Sequence, residues 1–190
     1  MWPLLVCSLI SLTVIIERVV FWVRQRRQPT LMGDMFRLTE EGRFEEALSR
    51  GRDSQDAAVR VLLAGLASRR HGFVQGMEVA AAEEVDRQRR GLGILDTIIT
   101  LAPLLGIFGT VTGIIQAFDF LSLRGVPDPQ AVTSGIAEAL ITTAAGLTVA
   151  LMTLIPYNAF VHRVERSAKT LGQIGTQFEM AYKRGMESAG

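Results

Sequence analysis

VTSGIAEALITTAAGLTVALMTLIPYNAFV, residues 132–161, is thirty residues long and holds one charged side chain, Glu138. A helix needs ~20 apolar residues to cross the hydrocarbon core of a bilayer. This run exceeds that length, so it reads as a transmembrane helix with residues to spare.

Two other stretches share its character. Ile94–Leu121 is apolar apart from Asp96, Gln116, Asp119 and small hydroxyl residues. Trp2–Val23 is apolar apart from Ser8, Ser11, Thr13 and the pair Glu17–Arg18. The first of the three spans has no basic stretch before it and no small-residue cleavage site after it. It runs into Arg24, Arg26 and Arg27, which reads as an uncleaved anchor rather than a signal peptide. The expected fold class is an all-α integral membrane protein with three transmembrane helices and long cytoplasmic helical extensions. The expected spans are 1–23, 94–121 and 132–161.

Basic residues orient the spans. Segment 24–93 carries 13 Arg and no Lys, and the tail 162–190 carries five Lys+Arg. The short loop 122–131 has only Arg124. The segment and tail are therefore expected in the cytoplasm, with the loop periplasmic and the N-terminus outside. Within 24–93 the pattern is helical. A short helix pair is expected around Thr39–Leu48 and an amphipathic helix over Ala57–Ser68. Val74–Arg90 places Glu83, Glu84 and Asp86 ahead of Arg87, Arg89 and Arg90, which suits an exposed helix. Only Gly91 and Gly93 weaken its continuation into the second span.

Composition narrows the function. Twenty Lys+Arg against 19 Asp+Glu leave no concentrated basic face for nucleic acid. Cys7 stands alone, which excludes an internal disulfide, and with only His71 and His162 a zinc site is not expected. HExxH, GxSxG and Walker motifs are absent from the sequence. No enzyme, no metal and no cofactor is expected, and any work must be drawn from an ion gradient or a partner.

Glu138 is then the residue that requires explanation. A carboxylate in a span costs a few kcal/mol unless it is protonated, hydrated or partnered. It reads either as a protonated acid in one interhelical hydrogen bond or as a site that gains and loses a proton. Threonines continue a polar line: Thr142, Thr143, Thr148 and Thr153 on its own helix, and Thr100, Thr110 and Thr112 on the preceding one. Taken singly, each is more often structural, bonding its own i−4 carbonyl. Gly106, Gly109 and Gly113, with Gly146 beside Ala144 and Ala145, permit close approach of the two helices. Such approach would bring Thr110 near Glu138 or Thr143. Asp96, Asp119 and Glu17–Arg18 lie towards helix ends, where they can snorkel or pair.

LAPLLGIFGTVTG (101–113) followed by GIAEALITTAAGL (135–147) resembles the MotA/TolQ/ExbB proton-channel family, on the ExbB/TolQ branch rather than that of four-span MotA. The resemblance implies a homopentameric ring around a small single-span ExbD/TolR-like partner bearing an intramembrane Asp, with a TonB/TolA-like energy transducer as a further partner. It implies an inner-membrane location and proton-driven work at the cell envelope. It maps Glu138 onto the family's pore glutamate, and Thr110 and Thr143 onto pore-lining hydroxyls; Thr142 is an extra hydroxyl. One departure is visible: Met152 stands where relatives carry proline, and Pro156 follows a turn later. A non-conducting membrane scaffold that binds a partner helix through Glu138 is the alternative.

Overall fold

The computed structural model describes residues 2–25, 28–124 and 129–189. Among them every regular element is an α-helix: α1 (Trp2–Arg24), α2 (Pro29–Glu40), α3 (Phe44–Gly51), α4 (Ala57–Ala67), α5 (Phe73–Arg89), α6 (Leu92–Arg124) and α7 (Pro129–Ala189). Three helices are long and apolar enough to cross a membrane. Arg26 and Arg27 of the basic flank, and the centre of the loop expected over 122–131, lie outside the described residues. That loop is shorter than its polarity suggests. Helix α6 runs through Arg124, and α7 already begins at Pro129. Proline fits the first helical position, where its fixed φ is preset and its missing N–H has no bond to lose.

Helix α5 does not run on into α6. Gly91 has φ +79°, a backbone that a side chain disfavours, and it separates the two. Gly93, the other weak point, lies inside α6. Helix α7 is unbroken for 61 residues, passing Pro156 without interruption. Pro103 likewise sits inside α6. Each proline leaves the carbonyl four residues earlier, Ile99 and Met152, without its helical donor.

The chain forms two compact units, Met1–Val19 with Gly91–Phe160 and Val20–Arg90 with Val161–Gly190. In the first, Leu4 and Cys7 of α1 pack with Ile98 and Ala102 of α6 and Ala150 of α7. Many of its large apolar side chains remain exposed, among them Leu9, Ile16, Leu104, Phe108, Leu140 and Leu151. Such a surface suits lipid or another apolar partner, not water. Arg18 is only 2% exposed and pairs with the neighbouring Glu17.

The second unit has an ordinary apolar core. Met35 and Leu38 of α2, Val59, Leu62 and Leu66 of α4, and Phe178 of α7 are almost fully buried. Phe73 stacks on Tyr182 at 4.1 Å between ring centroids, and Phe36 meets Phe178 edge-on at 5.1 Å. Asp56 starts α4: its Oδ1 accepts the Ala58 N–H at 2.9 Å, and its Oδ2 accepts the Gln28 N–H at 2.7 Å. Glu84 of α5 is 4% exposed and is gripped by Arg60 of α4, whose Nε and Nη2 donate at 2.7 and 2.6 Å. Removing Arg60 would leave a buried carboxylate with only Arg87, at 3.6 Å. Because Arg60 is itself partly solvated, Arg60→Ala is expected to cost about 2 kcal/mol, less than a fully buried pair. A thermal melt in detergent checks this; an unchanged melting temperature would refute it.

Candidate functional site

Helices α6 and α7 lie antiparallel and very close. A Cβ added at Gly106 would lie 3.1 Å from Thr143 Cα. One at Gly113 would lie 2.9 Å from Ala139 Cβ, and one at Gly135 would lie 3.0 Å from Ala117 Cβ. One at Gly146 would lie 2.5 Å from the Ala102 carbonyl oxygen and 3.1 Å from Gly106 Cα. At Gly109 the obstacle is the Thr142 methyl group. The contacts descend one helix as they ascend the other, at spacings of three or four residues that keep one face of each helix on the seam. Here the absence of side chains lets backbones approach and dispersion forces act without a hydrophobic drive. Gly135, opposite Ala117, belongs to the seam too, as does Ala139, opposite Gly113. Its signal in the sequence is a small residue recurring every three or four positions, which extends the ridge beyond the glycines first singled out.

The seam assembles hydroxyls. Thr143 Oγ1 donates to the Gly106 carbonyl at 3.0 Å, a bond from one helix to the other. The same oxygen lies 3.4 Å from Thr110 Oγ1, which itself donates to the Ile107 carbonyl at 2.6 Å. Of the two neighbours open to Thr110, it is therefore Thr143 that it meets. Thr142 Oγ1 donates to the Glu138 backbone carbonyl at 3.0 Å, one turn back on α7. Thr112, Thr148 and Thr153 bond carbonyls of their own helices at 3.0, 2.8 and 2.7 Å. Thr100 does so at 3.3 Å.

Glu138 is placed differently. Successive residues of a helix are turned by ~100°. Ala139 is buried against α6, so Glu138 falls beside the seam instead of in it. Its side chain is exposed, next to exposed Ile141 and, further along, Thr148. Among the described residues no hydrogen bond or ion pair reaches its carboxyl group. The structure thus brings Thr110, Thr143 and Gly106 together but does not join the Glu138 carboxyl to them within one chain. No group of His, Cys, Asp or Glu that could hold a metal ion occurs among the described residues.

The interhelical bond of Thr143 is testable by itself. Thr143→Val keeps the shape and deletes the donor, and the Gly106 carbonyl still faces its own helix. A loss of about 1 kcal/mol is expected. Thr143→Ser should retain most of the stability, measured as the midpoint of thermal unfolding; equal losses for both variants would contradict the bond.

Three long apolar helices, two of them locked through small residues beside a solitary carboxyl, define a multi-pass helical membrane protein. The profile of the MotA/TolQ/ExbB proton channel family matches residues 53–173, and this chain belongs to that family, on its ExbB/TolQ side. It is 37% identical over 191 residues to the ExbB-like 1 biopolymer transport protein of Synechocystis, covering 96% of this chain and 75% of that protein. It is 31% identical over 150 residues to the biopolymer transport protein ExbB of Salmonella typhimurium, covering 79% of this chain and 57% of that one. With the Tol-Pal system protein TolQ of Haemophilus influenzae it shares 28% identity over 186 residues, covering 90% and 82%.

Proposed function

We propose that this chain is the ring subunit of a proton-driven motor in the inner membrane. It would assemble as a homopentamer around an ExbD/TolR-like single-span partner, which carries an Asp in the membrane. A TonB/TolA-like transducer would deliver the work to the cell envelope. In this reading the N-terminus and the loop between α6 and α7 face the periplasm, and residues 24–93 and 162–190 face the cytoplasm. The family and the relatives named ExbB and TolQ support it.

The observation that carries the reading is the position of Glu138. A carboxyl group nine residues into α7, in its apolar stretch, is exposed on its own chain and has no bond from a described residue. Facing hydrocarbon alone it would cost ~2.5–3.5 kcal/mol on insertion scales. Water, a proton or a group from another chain removes that cost. A site that takes a proton in one environment and releases it in the next uses all three. Thr110, Thr142 and Thr143 then line the adjacent polar path, with Gly106, Gly109, Gly113 and Gly146 holding the helices that bear them. No covalent chemistry is required. One charge crossing 100 mV releases ~2.3 kcal/mol, so a few protons suffice to shift packed helices.

The scaffold reading has one observation in its favour: every seam hydroxyl described above already bonds a backbone carbonyl. Native mass spectrometry of the full chain, co-expressed with its chromosomal neighbours, separates the two. Five copies with two of a small single-span protein, followed by proton flux on reconstitution, support the motor. The same complex without flux would favour the scaffold, and a monomer or dimer with an unrelated protein would overturn the ring.

A further inference from the structure

A cavity of about 560 Å³ lies wholly within the second unit, and none of the proposed proton path belongs to it. Arg163, Arg166, Ser167 and Thr170 of α7 form one wall. Trp22 and Gln25, at the end of α1 and just beyond it, form another, and the start of α4 closes the space. Its volume is that of a small-molecule site.

The chemistry of the lining is one-sided. Among the described residues neither the Arg163 nor the Arg166 guanidinium makes an ion pair or a hydrogen bond. The Arg163 guanidinium lies 5.8 Å from the centre of the Trp22 indole ring. Trp22 Nε1 is buried without a hydrogen-bond partner, and so is Gln25 Oε1. A buried indole N–H can only donate, and it is rarely left unpaired. The Asp56 carboxylate also lines the cavity, but both of its oxygens are engaged by backbone N–H groups. The α4 N-terminus beside it adds the positive end of a helix dipole. Thr170 Oγ1 is committed to the Arg166 carbonyl at 2.8 Å, but two guanidiniums, the indole N–H and the Ser167 hydroxyl outnumber the one orphan acceptor, Gln25 Oε1, and call for a ligand rich in acceptors and negatively charged. A phosphate has that character.

Position in the chain selects the source of the phosphate. Trp22 and Gln25 close the apolar run of α1, and Arg163 and Arg166 fall in the first turn and a half after the apolar run 132–161. Aromatic and basic residues at the ends of spans sit in the headgroup layer. The remaining lining, Met32, Leu171 and Ile174, belongs to the apolar core of the second unit and closes the cavity on the side away from the spans. We propose that this cavity binds the headgroup phosphate of an anionic phospholipid, with Arg163 and Arg166 as its charged ligands and Trp22 Nε1 as a neutral donor.

The test is native mass spectrometry of the full chain, delipidated in detergent and then offered phosphatidylglycerol and phosphatidylcholine in equal amounts. The expected result is a preference of roughly tenfold for phosphatidylglycerol. Arg163→Gln with Arg166→Gln should bring the ratio close to one without lowering the melting temperature, since both side chains are exposed. Arg163→Lys with Arg166→Lys should keep most of the preference. A second measurement needs no arginine variant: in the Trp2→Phe chain, Trp22 fluorescence should shift with phosphatidylglycerol and not with phosphatidylcholine. No preference in the native chain, or an undiminished preference in the Gln variant, overturns the proposal. So does inorganic phosphate that binds the lipid-free chain and displaces phosphatidylglycerol completely, because the source is then a soluble phosphate.

Discussion

Glu138→Gln is expected to lower proton flux through the reconstituted complex by about two orders of magnitude or more, to the level of vesicles without protein. The carboxamide has the size of the carboxyl group and none of its proton affinity. Packing along the seam is untouched, because Glu138 stands beside it and contributes no described bond from its side chain. The variant should therefore assemble and melt like the native protein. Glu138→Asp keeps a titrating group but withdraws it by one methylene, so flux should fall partly. Flux is read with a pH-sensitive dye trapped in vesicles held at a set membrane potential. Full flux in Glu138→Gln, with normal assembly, would sink the assignment of Glu138 as the proton site while leaving the fold intact. Loss of assembly together with flux would instead turn Glu138 into a partner-binding residue.

Gly146→Val is expected to abolish the packing of α6 on α7. The new Cβ would sit 2.5 Å from the Ala102 carbonyl oxygen and 3.1 Å from Gly106 Cα. Both obstacles are backbone, so no rotamer change relieves them. Two helices would have to separate along a contact that small residues created. Overpacking of this kind costs ~1–3 kcal/mol where side chains can yield and more where they cannot. The expected readout is little or no folded protein in mild detergent, seen as aggregation during size-exclusion chromatography. Gly172→Ala on the same helix is the control. Nothing lies within 4 Å of its Cβ position, and replacing a helical glycine should stabilise by ~0.5–1 kcal/mol. Gly109→Ala falls between these, since its obstacle is the Thr142 methyl group. Thr142→Ala in the same chain should recover much of that loss. A folded, native-like Gly146→Val protein would show that the seam is looser than its geometry.

Much of this was legible in the residues themselves. Apolar length alone determined the three long helices, because a bilayer offers no partner for an unpaired backbone group and helix pairs them all internally. Gly42 and Gly91, both at positive φ, mark breaks between helices, Gly42 within polar sequence and Gly91 where Arg89 and Arg90 give way to the apolar run of α6. The ridge of Gly106, Gly109 and Gly113 announced a close helix contact before any partner was known, since spacing of three or four keeps small residues on one face. Glu138 announced itself by charge in an apolar run.

Tertiary structure decided the rest, for reasons that local pattern cannot carry. Which hydroxyl meets which depends on the register of two helices. The register pairs Gly106 with Thr143 and so puts Thr110 beside Thr143, leaving the Glu138 carboxyl to one side. Gly135 entered the seam only through its opposite number, Ala117. The cluster of Arg163 and Arg166 around Trp22 joins residues some 140 positions apart, and no periodicity links them. Length, charge and spacing determine which segments become helices and which faces are small or apolar. The meeting of faces is a long-range event, and only the folded chain sets it.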